Sequence, residues 1–201
     1  MAKVLILFAH PALEKSRIHS SLIRHVKHLH GVNIHDLYEA YPDFDIDVKR
    51  EQQLLMMHDV IIWQHPFYWY SAPALIKQWL DLVLEHGWAY GGETKLQGKK
   101  ILNAIYCGGP KEAYSKSGRN RFSIKEFLYP FSQSAALCKM QYLPPFVVHG
   151  THRLKPYDIE LHAIQYEQVL NAFTGDKLIE DEWNKVDYLN DLNPITEPFK
   201  T

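Results

Sequence analysis

Val4-Leu5-Ile6-Leu7-Phe8-Ala9-His10-Pro11 is the stretch on which the fold turns. Five successive apolar residues closed by Ala-His-Pro describe a strand covered on both faces, because a strand with one wet face alternates instead. A strand of that kind belongs to a parallel sheet with helices on either side. Downstream of the His10 to Lys15 turn, Ser16 is placed to cap a helix. Its apolar stripe, Ile18, Leu22, Ile23, Val26 and Leu29, recurs at three- and four-residue spacing, and Gly31 is expected to end it.

The same alternation repeats along the chain. Val32 and Ile34 read as an edge strand, and a helix pattern follows over Val48 to Met57 with Asp47 as its cap. Val60 to Trp63 is the next buried strand, and Pro66-Phe67-Tyr68-Trp69-Tyr70 forms an aromatic turn behind it. Ser71-Ala72-Pro73 opens a helix that turns Leu75, Ile76, Trp79, Leu80 and Val83 inward. Ile101 to Tyr106 supplies a fourth strand, closed by Gly108-Gly109-Pro110. A long polar loop then reaches a helix from Ile124 to Met140. Phe146 to Val148 and a helix from Tyr157 to Phe173 form the fifth pair. Alternation of this kind predicts one α/β domain over residues 1–175, a five-stranded parallel sheet with helices on both faces. Beyond Gly175 the chain turns polar and acidic, so residues 176–201 read as a C-terminal arm that either packs on a partner or stays mobile.

Composition narrows the function. Across 201 residues, 22 Lys and Arg balance 23 Asp and Glu, and the basic residues are scattered, so no phosphate-tracking stripe exists and nucleic acid is not an expected partner. No run is long enough to span a bilayer, and the first apolar segment lacks the length and cleavage site of a secretory signal. Cys107 and Cys138 are far apart and unpaired by spacing. A cytoplasmic location follows as the expectation. Twelve histidines raise the question of metal, yet H-E-x-x-H is absent and His149-Gly150-Thr151-His152 has no cysteine or carboxylate set beside it, so no metal site is expected. No G-x-S-x-G elbow follows a strand, which disfavours a serine hydrolase.

In an open α/β sheet of order 2-1-3-4-5, ligands bind beyond the carboxyl ends of strands one and three, where the order reverses. Three loops meet that description. Ser16-Arg17-Ile18-His19 lies at a helix start, where free N–H groups, a hydroxyl and a cation suit a phosphate, with His10 just before it. A plain Ser cap explains the same residues equally well. Pro66, Phe67, Tyr68, Trp69 and Tyr70 offer a surface for a planar ring, or else a hydrophobic lid or subunit contact. Tyr106-Cys107-Gly108-Gly109 lets backbone approach a ligand, although glycines at a strand exit are also used for conformation alone. Cys107 itself reads more readily as a buried thiol than as a nucleophile. Without G-x-G-x-x-G or a Walker lysine, a monophosphate fits the first loop better than a dinucleotide or a triphosphate.

Several segments in fixed order carry a family likeness: Ala9-His10-Pro11 with Ser16, Asp36-Leu37-Tyr38 with Tyr41-Pro42-Asp43-Phe44, Gln64-His65-Pro66 with Tyr70-Ser71, Leu80-Asp81, Gly87-Trp88-Ala89-Tyr90 and Leu143-Pro144-Pro145. The chain resembles the flavodoxin-like NAD(P)H:quinone oxidoreductases, and most closely the ancillary subunits of glutathione-gated Kef-type potassium efflux antiporters. The resemblance reaches to about Phe173. It implies a flavodoxin-like fold, FMN as cofactor with FAD as the alternative, NAD(P)H as co-substrate and a quinone-like acceptor. It also implies a homodimer and, on the alternative reading, a membrane antiporter partner that would hold the chain at the inner face of the cell membrane. On this resemblance His10 and Ser16 to His19 hold the flavin phosphate, and Phe67 to Tyr70 with Tyr106 to Gly109 border the isoalloxazine.

Departures from the family pattern matter here. The family often has Asn where this chain has His19, and Thr-Thr where it has Tyr106-Cys107. Family enzymes commonly place a Tyr and then a His after the Gly-Gly loop to stabilise charge on the reacting flavin. Tyr114 matches the first, while the second falls at or near Asn120, which keeps a donor but no titratable proton at neutral pH. Two readings remain open: a flavoenzyme, or a regulatory subunit whose redox activity is secondary.

Overall fold

A computed structural model describes residues 1–175 and 183–192 of the chain. Strand β1 (Val4–Phe8) pairs in parallel with β2 (Val32–Asp36) on one side and β3 (Val60–Pro66) on the other. Next to β3 lies β4 (Lys100–Tyr106), and the far edge of β4 receives two short pieces, β5 (Gln141–Tyr142) and β6 (Phe146–Val148). The order is therefore 2-1-3-4-5 with a sixth strand sharing the outer place. The fifth strand expected at Phe146 to Val148 is present as β6, and the unexpected two-residue β5 before it stays separate because Pro144 and Pro145, lacking N–H groups, cannot continue the ladder after Leu143 donates to Ile101 O at 2.8 Å.

The helices follow in chain order: α1 (Arg17–Val26), α2 (Leu37–Ala40), α3 (Val48–Met56), α4 (Ala74–Val83), α5 (Ile124–Phe127), α6 (Tyr129–Leu137) and α7 (Pro156–Thr174). Alternation along β1 sorts them. Val4, Ile6 and Phe8 join a core with Ile18, Leu22 and Val26 of α1 and Ala163, Tyr166 and Leu170 of α7. Leu5 and Leu7 join the opposite core with Leu55 of α3, Ile76 and Trp79 of α4, and Phe131 of α6. Burying each of these side chains contributes roughly 1.5–3 kcal/mol before the entropy of ordering is subtracted.

Helix boundaries depart from the sequence expectation in two places. The helix expected over Ile124 to Met140 is broken at Leu128, because Pro130 enters the first turn of α6 and cannot extend the preceding helix. The helix expected to reach Gly31 stops at Val26, and Gly31 adopts a φ of 84° before β2 begins. Asp47 does cap α3, accepting from Arg50 N at 3.0 Å.

The expected acidic arm has a described part and an undescribed part. Between Trp183 and Leu192 the chain returns to the body: Trp183 and Leu189 enter the core beside α7, and Tyr188 enters the opposite one. Asn190 Oδ1 accepts from Val147 N at 2.8 Å. Three apolar residues among acidic ones suffice to dock this piece, which the overall acidity of the segment conceals. Residues 176–182 and 193–201 lie outside the described residues.

Candidate functional site

Register brings the three loops to one edge. Phe8 lies opposite Gln64, Pro66 opposite Tyr106, and Tyr106 opposite Val148, so the segments after β1, β3, β4 and β6 leave the sheet side by side. This edge is also where the order reverses between β1 and β3.

At the start of α1, Ser16 Oγ accepts from His19 N at 3.2 Å, and the first-turn amides beside it have no intrahelical acceptor. His10 arches over this turn. Its Nδ1 accepts from Ala12 N at 3.0 Å, which leaves Nε2 to donate to the Tyr106 hydroxyl at 2.9 Å. Burial lowers the His10 pKa, against a smaller opposing pull from Glu14. The ring of His19 is wholly buried, packed edge-on against Tyr106 at 4.8 Å and Phe8 at 5.3 Å, and neither of its nitrogens has a partner. Arg17 reaches the other way, donating to Leu154 O at 2.9 Å. Ile18 puts its side chain into the core, so only its backbone faces the loop.

The aromatic turn makes a second part of the edge. Phe67 N donates to Tyr106 O at 2.9 Å, and Tyr68–Tyr70 forms a single 3-10 turn in which Trp69 (φ 50°) and Tyr70 (φ 61°) both take the left-handed conformation. That conformation is costly for non-glycine residues and leaves the Trp69 ring 93% exposed. Tyr68 turns toward His10, with ring centroids 6.2 Å apart. Phe67, Tyr70 and Tyr114 gather around Phe127, Tyr70 stacking on it at 5.1 Å. A solvent-open cleft of about 220 Å³ is lined by Phe67, Trp69, Tyr70, Tyr114, Arg119 and Asn120.

The loop after β4 brings Tyr114 and Asn120 into that cleft. Gly118 permits the fold-back, since a Cβ there would meet Glu112 O at 2.3 Å. Tyr114 lies against Gly109, with its hydroxyl close enough to the Cys107 thiol for each to perturb the other's titration. Burial, with Cys107 second, raises the Tyr114 pKa, so the phenol keeps its proton at neutral pH. Burial also pushes the Cys107 thiol up to about 12, which leaves it a protonated thiol rather than a nucleophile. Asn120 Oδ1 accepts a long bond from the Tyr70 hydroxyl at 3.5 Å, and its buried Nδ2 has no partner.

The sequence-derived residues thus fall into two neighbouring groups. His10, Ser16, His19, Tyr68 and Tyr106 surround the start of α1, while Phe67, Trp69, Tyr70, Tyr114 and Asn120 form the cleft. Pro66 closes β3, its carbonyl accepting from His65 Nδ1 at 2.9 Å. Gly108 lies under the exposed ring of His152. Sequence reasoning missed Phe127, Arg119, His149 and His152. His149 Nδ1 sits 3.3 Å from Cys107 Sγ, and burial lowers its pKa to about 4. The two histidines were visible as a His-Gly-Thr-His pair directly after a strand, but weighing them only as metal ligands hid their place at the sheet edge. Among the described residues no group of His, Cys, Asp and Glu is placed to hold a metal.

The family described by a flavodoxin-like fold matches residues 2–170. A glutathione-regulated potassium-efflux system ancillary protein, KefG, of Serratia proteamaculans is 47% identical over 165 residues, 82% of this chain and 90% of that relative. The structure of general stress protein 14 of Treponema denticola, in complex with FMN, superposes with a TM-score of 0.81 at 40% identity, covering 85% of this chain and 99% of that one. An NADPH-quinone reductase of P. pentosaceus superposes with a TM-score of 0.77 at 34% identity, covering 83% and 96%.

Proposed function

This chain belongs to the family with the flavodoxin-like fold, and from that premise we propose that it is an FMN-dependent oxidoreductase passing hydride from NAD(P)H to a quinone-like acceptor. The observation that carries the reading is the set of unpartnered buried polar atoms at the switch-point edge, His19 Nδ1 and Nε2 beneath the start of α1 and Asn120 Nδ2 in the aromatic cleft. Buried donors and acceptors are usually met by protein, by ordered water or by a ligand, and at a sheet edge suited to binding a ligand is the partner that fits. A helix start for a phosphate, next to an aromatic cleft for a planar ring, matches the shape and charge of FMN. FAD is the less suited alternative, since no adenine-binding motif accompanies the loop.

When bound, the flavin supplies the redox chemistry, in which NAD(P)H and a proton become NAD(P)⁺ while the quinone becomes the hydroquinone. The protein's own part is positioning and charge stabilisation. Phe67, Trp69 and Tyr70 would cover one side of a planar ring held in the cleft. Tyr114, protonated at neutral pH, would donate to an oxygen on which negative charge develops. Asn120 Nδ2 is the second donor, its amide oriented by Tyr70. The purified protein is expected to carry the absorbance of a bound flavin and to oxidise NADH or NADPH only when a quinone is present. A colourless protein that also fails to take up added FMN or FAD overturns the reading.

The likeness to KefG supports a second reading, a subunit docked at the inner face of the membrane on a potassium efflux antiporter. Among the described residues no helix is long and apolar enough to cross a membrane. Exposed Trp69, Tyr70 and Phe122 near the cleft favour a homodimer as well. Co-purification with the antiporter tests the former, and sedimentation at micromolar protein tests the latter.

A further inference from the structure

The histidines around the start of α1 are unequally satisfied. His10 uses both nitrogens, on Ala12 N and the Tyr106 hydroxyl. His65 uses both as well, donating from Nδ1 to Pro66 O at 2.9 Å and accepting at Nε2 from Asn103 Nδ2 at 2.9 Å. His19 is buried as completely as His65, yet both of its nitrogens are empty. It stands on the third residue of α1, where backbone amides and the helix dipole favour an anion. Ser16 precedes it at the cap, and the hydroxyl of Tyr106 and the ring of Tyr68 close the same edge from β4 and the aromatic turn.

We propose that His19 is the residue that selects a phosphorylated flavin, taking up one proton from solvent as the dianionic phosphate docks at the start of α1 and pairing with it as an imidazolium. The proposal rests on the FMN reading above and concerns what this chain does where its family often has Asn.

The surroundings explain why the proton must arrive with the ligand. Burial, then the neighbouring His10 and His65, hold the His19 pKa well below its ordinary value, so the free protein keeps the ring neutral. Glu14, the carboxylate of this loop, acts on His10 and is exposed. Arg17 is turned to Leu154 O. His10 and His65 are fixed as neutral rings by their bonds, which leaves His19 as the group able to accept a proton without breaking one. An unphosphorylated flavin brings no charge to hold that proton.

Calorimetric titration of the flavin-free protein at about pH 8, in buffers of differing ionisation enthalpy, counts the protons taken up. At that pH the phosphate, whose second pKa is about 6, is already dianionic, so uptake belongs to the protein. The expected result is roughly one proton per FMN and none with riboflavin, with FMN affinity falling about tenfold for each unit of pH above that point. His19→Asn should bind FMN without proton uptake, lose that pH dependence, and leave riboflavin binding unchanged. His19→Gln serves should the first variant fail to fold. Absence of uptake in the unmodified protein overturns the proposal, and so does equal uptake in either variant. A protein that binds neither FMN nor riboflavin overturns the flavin reading itself, whereas FMN bound with pH-independent affinity overturns only the role of His19.

Discussion

Two buried polar clusters flank β1 on opposite faces of the sheet. Between β2, α3 and α4, the carboxylate of Glu51 is inaccessible and fully partnered: its Oε1 accepts from His35 Nε2 at 2.7 Å and Tyr41 Oη at 2.6 Å, and its Oε2 accepts from Trp79 Nε1 at 2.8 Å. Beneath the start of α1, His19 is equally inaccessible and has no partner for either nitrogen. A buried group whose every bond is made inside the protein ties elements together. A buried group with none made, at the edge where a ligand would sit, keeps its bonding capacity for that ligand. On the proposed reading the first cluster serves stability and the second binding, and substitutions on the two sides should separate these properties.

The largest effect is expected at Glu51. Glu51→Ala leaves His35, Tyr41 and Trp79 with donors facing an empty, apolar space, and breaking a buried charged network by removing one partner costs about 3–5 kcal/mol. The midpoint of urea unfolding should fall accordingly, while the FMN affinity of the folded fraction stays as it was. A pH effect accompanies it. Burial alone would raise the Glu51 pKa, but the bonds from His35, Tyr41 and Trp79 outweigh it and hold the value below the ordinary 4.5. A carboxyl group depressed in the folded state contributes stability above its unfolded value and loses it as pH falls through the folded one. The unmodified protein should thus lose this contribution under acid, below about pH 4.5, and Glu51→Ala should show a flatter acid limb. Loss of flavin binding at unchanged stability would reverse the assignment of the two clusters.

The cleft should show the opposite separation. Tyr114→Phe removes only a hydroxyl lying near the Cys107 thiol, so folding loses little. Where that phenol is a preorganised donor to developing negative charge, its loss costs about 2.7–4 kcal/mol of barrier, a hundredfold or more in rate. With Asn where a histidine is usual, Asn120 supplies a weaker donor and Tyr114 carries more of the role. Stopped-flow reduction of the flavin by NAD(P)H is expected to slow by that factor while flavin content is retained. An unchanged rate would remove Tyr114 from the chemistry and strengthen the regulatory reading.

Fold and site were not equally legible in the sequence. Uninterrupted apolar runs such as Val4 to Phe8 and Val60 to Trp63 announce strands buried on both faces, because burial is local to the run, and the alternation with helices follows. The break at Pro130 and the two-residue strand Gln141–Tyr142 ahead of Pro144-Pro145 were less visible, since a proline break and a strand that short carry no periodicity of their own. At the edge, residues adjoining strand ends were found because the topology rule points to strand ends. Phe127 was missed because it reaches the cleft from a helix on another part of the chain. Glu51 was missed because a Glu in an amphipathic pattern reads as a solvated position. Only the convergence of His35, Tyr41 and Trp79 from three elements makes that position an interior one.

The smallest effect, and one of opposite sign, is expected at Trp69. Its backbone is left-handed (φ 50°, ψ 44°) and its ring is 93% exposed, so the residue is strained without compensating burial. Glycine adopts this conformation without steric cost but loses more entropy on folding. Those terms nearly offset, and Trp69→Gly should change stability by between zero and about 1 kcal/mol in the stabilising direction. Such strain is retained where the side chain serves binding, and here the indole borders the cleft that also holds Tyr114 and Asn120. Loss of one aromatic contact of this kind is worth about 0.5–1.5 kcal/mol, so KM for the quinone should rise roughly two- to tenfold with kcat little changed. Unfolding curves and steady-state kinetics on the same preparation read both. A clear loss of stability instead would mean that Trp69 is covered in solution, and a sedimentation profile shifted to the monomer in that variant would identify a second copy of the chain as the cover.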